Sequence, residues 1–194
     1  MGGDIMCCEK KLNIEKCLSK LEIVLVTEGN KIYELVHNKQ EYDSDFFDLK
    51  IECNINEKTN IESQRAGLYV FEYSSDQPRK FPNFDDVEYA PKLNKSNHDK
   101  LKIQLDDAFK KGDILYLGKH ETNLGDRLNE HITTPSGKST YSLRLSDGYR
   151  IDFYNRLKLY YFELKLSYSK YPKQILSKIE SVLHDKLLPR CGRK

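Results

Sequence analysis

Apolar positions along this chain change their period several times, and each change predicts an element. Ile14–Leu21 is spaced for a short helix, and the β-branched run Ile23-Val24-Leu25-Val26 predicts a strand that ends at a Gly29-Asn30 turn. Lys31–His37 and Phe46–Asn54 are further strand candidates, separated by a polar stretch over 38–45. Residues 1–64 are therefore expected to add β-structure to a core that begins at Arg65. That core opens with Arg65-Ala66-Gly67-Leu68-Tyr69-Val70-Phe71-Glu72-Tyr73, an apolar and aromatic run of the kind that forms a buried strand. Taken alone, Tyr69 reads as a core aromatic with its hydroxyl at the rim.

The pattern breaks over residues 74–112. Pro78, Pro82 and Pro91 mark 74–97 as a surface excursion, while Leu101, Leu105, Ala108 and Phe109 have helical spacing, with Asn97 as a cap and Gly112 as a stop. Ile114–Leu117 then alternates as a strand, Gly118 suggests a turn, and Leu124, Leu128 and Ile132 form a helical stripe. Arg127 and His131, four residues apart, share a neighbouring face of that helix. A lysine, an arginine and a histidine converging at a strand end suit an anionic ligand, although helix faces also carry such residues for solubility. After a loop over Thr133–Ser139, Thr140–Leu145 is ambiguous between strand and helical turn, and Leu157–Leu166 predicts a strand. Pro172 starts a last helix that Pro189 stops, with Ile175, Ile179, Val182 and Leu183 facing inward. Glu180 falls beside Leu176 and Leu187, at the edge of that face.

Composition narrows the class without naming a reaction. With 38% hydrophobic and 32% charged residues, a mean hydropathy of −0.71 and no apolar run of membrane length, the chain reads as a globular protein of one domain over 1–194. A net charge of +2 neither requires nor excludes nucleic acid, so local clustering decides. Five cysteines, Cys7, Cys8, Cys17, Cys53 and Cys191, lack paired CxxC spacing, which argues against a disulfide framework or a zinc site and for reduced thiols in the cytoplasm.

Gly67-Leu68-Tyr69, Tyr116-Leu117-Gly118-Lys119, Arg127, His131 and Glu180 occur in the order that defines the GIY-YIG nuclease superfamily, and over residues 67–73 and 113–192 the chain resembles it. Arg127 stands nine residues after Gly118 with the histidine four further on, and Glu180 lies nine residues before Pro189. The resemblance implies an α+β fold: a small antiparallel sheet flanked by helices, here with the N-terminal elaboration and a loop-helix insert at 74–112. It also implies hydrolysis of DNA phosphodiester bonds with one divalent ion, Mg²⁺ or Mn²⁺. Glu180 would hold that ion through hard carboxylate oxygens. Arg127 would offer a planar fork of donors to the phosphate, and Lys119 a compact positive charge near the nucleophile. Tyr69 corresponds to the tyrosine proposed as general base, Tyr116 to its partner on the adjacent strand, and His131 to a residue that orients a tyrosine or the phosphate.

The chain departs from the superfamily in two places. Forty-six residues separate Tyr69 from Tyr116, where many relatives have about ten, and Pro189 is followed by Arg190-Cys191-Gly192 instead of asparagine. The long insert favours a restriction-like endonuclease with DNA as partner, its specificity drawn from the N-terminal elements, the insert and a basic region over 138–158 that includes Lys138 and Arg144. A repair or mobile-element nuclease and a catalytically idle DNA-binding module are the competing readings.

Overall fold

The structure is a computed structural model, and it describes residues 3–53, 55, 56, 58–80, 108–133, 153 and 155–190; for 3–18 the backbone alone is considered. A long helix, α1 (Gly3–Asn38), is followed by strands β1 (Phe47–Cys53), β2 (Gly67–Tyr73) and β3 (Ile114–His120). Helix α2 (Leu124–Ile132), strand β4 (Leu157–Leu164) and helix α3 (Pro172–Leu187) complete the chain. The four strands form an antiparallel sheet in the order β1-β4-β2-β3, so β3 is an edge. The expected α+β class, a small antiparallel sheet flanked by helices, is what forms.

The N-terminal segment is not the β-rich elaboration that its sequence predicts. Residues read as strands at 23–26 and 31–37 lie within α1, and Phe47–Cys53 is the one strand before Gly67 among the described residues. Leu25, Glu28, Ile32, Leu35 and Val36 are buried, a helical i, i+3, i+7, i+10, i+11 set that overrides the β preference of Ile23-Val24-Leu25-Val26. Gly29 is helical too. A Cβ there would stand 2.9 Å from Val182 Cγ1, so the glycine permits close approach of α3 instead of making a turn.

Sequence and structure agree better over the remaining elements. The β2 run is buried from Gly67 to Tyr73, β4 ends at Leu164 instead of Leu166, and α3 matches its predicted span. β3 continues through Gly118 to His120 without turning there. Phe109, expected at a helix end, instead forms an isolated bridge with Arg79. Ala108 and residues 110–112 are not helical either, while 81–107, which hold the remainder of the expected excursion and helix, and the Thr140–Leu145 segment lie outside the described residues.

Alternation of side chains across the sheet creates two cores. Leu68, Val70, Leu117, Tyr160 and Phe162 face α1 and α3, where they meet Ile32, Leu176, Ile179 and Leu183. Tyr69, Phe71, Leu115, Leu159 and Tyr161 face the other way, against Leu124, Leu128 and Ile132 of α2. Among the described residues, no helix is long and apolar enough to cross a membrane.

Candidate functional site

Register decides which side of the sheet each candidate residue occupies. Tyr69 is paired with Gly118 across β2 and β3, and Phe71 with Tyr116, which places both tyrosines on the α2 face. Lys119 pairs with Leu68 and therefore faces α3. The candidate residues thus form two groups that straddle edge strand β3.

The α2-side group is built around Tyr69. Its hydroxyl lies 2.8 Å from His131 Nε2, and its ring stacks on Tyr116 with centroids 5.9 Å apart at 14°. His131 also packs against Tyr116 at 4.9 Å. Both Tyr69 and His131 are buried, so the Tyr69 hydroxyl sits inside the protein and not at the rim. Gly118 makes this arrangement possible. A Cβ on Gly118 would fall 2.5 Å from Tyr69 Oη and 2.8 Å from Tyr116 Cε1, so any side chain there would displace the phenol.

Helix α2 brings Arg127 and His131 to these tyrosines, and its own sequence explains how it is docked. Asn123 caps it by accepting from the Asp126 amide, and the Asn123 amide in turn donates to His120 Nδ1 at 3.0 Å. The Leu124 and Gly125 amides donate to the Arg65 and Ser63 carbonyls, an approach that the missing Cβ of Gly125 allows, with Ile61 O only 2.6 Å from where it would be. Asn129 grips both the amide and the carbonyl of Ile61. The predicted stripe of Leu124, Leu128 and Ile132 is fully buried, leaving Arg127 and His131 on the tyrosine side.

Burial and mutual charge tune this group. Burial, then Tyr116, push the Tyr69 phenol well above its ordinary pKa, while Arg127 pulls the other way by its charge and a hydrogen bond. His131 is held well below the usual histidine range, first by burial and then by the Arg127 charge, so its imidazole is neutral. Either neutral tautomer satisfies the contact: Nε2–H donates to the phenol oxygen, or Nε2 accepts the phenolic proton. Burial alone would depress the Arg127 guanidinium, but Tyr69, Glu130 and Tyr116 outweigh it and leave its pKa above the ordinary value. Arg127 Nη1 also donates to Glu130 Oε2 at 2.7 Å.

The α3-side group is centred on Lys119. Its ammonium lies 3.6 Å from Glu180 Oε2 and 3.6 Å from Glu121 Oε1, and it donates to the Ser177 hydroxyl. Burial raises the Glu180 carboxyl above its ordinary pKa; Lys119 opposes the rise and Glu121 adds to it. Glu121 and Ser177 were not anticipated from the sequence. Ser177 stands one turn before Glu180, so the helical period that places Glu180 on the face edge also places this hydroxyl beside it.

The oxygen donors around Lys119 suit a hard cation. Mg²⁺ commonly takes one or two carboxylates and completes its shell with water and phosphate oxygens, and Glu180 supplies such a carboxylate. Among the described residues no group of three or more His, Cys, Asp or Glu side chains gathers as a metal cage. The structure therefore brings Tyr69, Tyr116, Arg127 and His131 together and links Lys119 to Glu180 on the opposite face, with Gly118 and Lys119 adjoining in the chain between them. Lys138 and Arg144 lie outside the described residues. Compared with protein-family models, curated proteins and solved structures, the chain has no match in any of the three.

Proposed function

We propose that the chain is a divalent-metal-dependent endonuclease that hydrolyses DNA phosphodiester bonds, a restriction-like member of the GIY-YIG superfamily acting in the cytoplasm. The observation that carries this reading is the Tyr69–His131 contact, 2.8 Å long and roofed by Tyr116 and Arg127. A buried phenol and imidazole are an expensive way to fill a core that leucine would fill, because each polar atom must find a partner. Their clustering with an arginine on residues that also match a nuclease motif order favours chemistry over packing.

In this reading Arg127 binds two oxygens of the scissile phosphate through its guanidinium fork and stabilises the charge that develops there. Tyr69, as its phenolate, takes the proton of the attacking water, and the adjacent positive charge of Arg127 favours that form. His131 fixes the phenol oxygen, and Tyr116 fixes the plane of its ring. Glu180 would hold Mg²⁺ or Mn²⁺, and a bound ion supplies positive charge for the leaving oxygen.

One observation favours a second reading, a DNA-binding module that no longer cuts: only about 1% of Tyr69 is exposed, and its burial disfavours the phenolate. Plasmid DNA incubated with Mg²⁺ or Mn²⁺ and wild type, Glu180→Ala or Arg127→Ala tests both readings. The nuclease reading expects cleavage by the wild type alone, with losses on the order of a hundredfold or more in the variants. Salt-dependent DNA binding without cleavage selects the idle module. Equal cleavage by all three proteins would trace the activity to a contaminant.

A further inference from the structure

Glu180 already has a cation. The Lys119 ammonium is clasped between strand and helix by three oxygen groups: the Glu180 carboxylate at 3.6 Å, the Glu121 carboxylate at 3.6 Å and the Ser177 hydroxyl. Lys119 and Glu180 side chains are only 21% and 22% exposed, so water screens the contact incompletely. Ser177 and Glu180 stand three apart on α3 and approach the ammonium from one helix face. A second cation arriving at Glu180 must repel this ammonium or move it, since both compete for the same carboxylate charge.

We infer that Lys119 is the resident counter-ion of Glu180, that a divalent ion binds this carboxylate only by displacing the ammonium, and that Ser177 and Glu121 retain the displaced lysine beside the site. The inference rests on the reading of Glu180 as the ion ligand. Lysine suits the exchange because its ammonium rotates on a flexible stem and carries three donors, so losing one partner leaves two to be used. Held by Ser177 and Glu121, it stays within reach of a phosphate at the moment the ion binds. Lys119 is then a positioning residue as well as a charge, and it sets the threshold concentration of metal at which the site fills.

Metal binding without DNA tests this on the full chain. Titration calorimetry with Mn²⁺ is expected to show Lys119→Met binding roughly tenfold more tightly than wild type, the direction set by removing one positive charge beside the ion. Glu180→Gln should lose the same binding. In the wild type, Mg²⁺ should shift the Lys119 side-chain Cε and Nζ resonances, and in Glu180→Gln it should leave them in place; this arm needs no Lys119 variant to fold. Equal or weaker Mn²⁺ binding by Lys119→Met, no binding at millimolar Mn²⁺ by either protein, or Lys119 resonances unmoved by saturating Mg²⁺ would each overturn the inference. DNA cleavage is scored separately. Tighter binding by Lys119→Met in a protein that cuts no DNA keeps the counter-ion role and rejects the nuclease, whereas cleavage without any response at Lys119 does the reverse.

Discussion

Tyr69 Oη and His131 Nε2, from a central strand and a flanking helix, meet 2.8 Å apart in a space from which solvent is almost excluded. They stand 62 positions apart in the chain, and Gly118 on the neighbouring strand leaves the gap in which the phenol lies. The contact therefore reports on the docking of α2 against the sheet as much as on the two side chains.

Stability should depend on pH through His131. Its pKa in the folded protein lies below the unfolded value of about 6.5, so the stabilisation is complete above that pH and is lost as pH falls. The unfolded chain takes up a proton that the folded one refuses, at a cost of about 1.4 kcal/mol per pH unit. Thermal unfolding between pH 7 and pH 5 is expected to show a flatter profile for His131→Gln than for wild type. Identical slopes would mean that the imidazole is free to protonate in place.

Gly118→Ala should damage the site without touching a polar group. The new methyl would stand 2.5 Å from Tyr69 Oη and 2.6 Å from Cζ, contacts that neither a buried ring nor the paired strands can absorb freely. We expect a loss of about 1–3 kcal/mol in urea unfolding and a broken Tyr69–His131 contact, read from the His131 ring resonances. An alanine variant as stable as wild type, with unchanged resonances, would contradict the geometry.

A second glycine makes a prediction opposed to helix propensity. Replacing Gly29 by alanine in the middle of α1 should gain about 1 kcal/mol from propensity. The Cβ would instead meet Val182 Cγ1 at 2.9 Å and Cβ at 3.1 Å, and α3 would be pushed away. Net destabilisation is expected in denaturant titrations, with Val182→Ala restoring much of it in the double variant because it opens the space. Additive losses would show that the two positions do not touch.

The end of α1 is pinned by an ion pair whose loss should be costly. Lys39 adopts φ 57° and donates to both carboxylate oxygens of Glu72 at 2.6 and 2.7 Å, while the Tyr160 hydroxyl donates to Oε2 at 2.7 Å. Glu72 is buried while Lys39 is half exposed, so Lys39→Ala leaves a carboxylate with one neutral partner, at a cost of about 1–3 kcal/mol. Lys39→Ala combined with Glu72→Gln should recover part of that loss in chemical unfolding. If the double variant is no more stable than Lys39→Ala, the buried charge is not the source of the cost.

Local pattern in the sequence was sufficient for β2, β4, α2 and α3, because their apolar residues repeat at the period of the element they form. Leu124, Leu128 and Ile132 show a helix and Gly67–Tyr73 a buried strand with no knowledge of what lies opposite. The grouping of Tyr69, Tyr116, Lys119, Arg127, His131 and Glu180 came from the resemblance in motif order, and it stands as a proposal. α1 was not legible this way, since Ile23–Val26 is rich in β-branched residues and Gly29-Asn30 resembles a turn. Only packing against α3 makes a glycine there favourable, and a contact between segments some 150 residues apart leaves no local signal. Tertiary structure also decided the division of the candidate residues across β3. Strand pairing sends Gly118 toward Tyr69 and the next residue, Lys119, toward Glu180, Glu121 and Ser177. Residue types and their order belong to the sequence; which side of a sheet they act from depends on register, and register is set by long-range pairing.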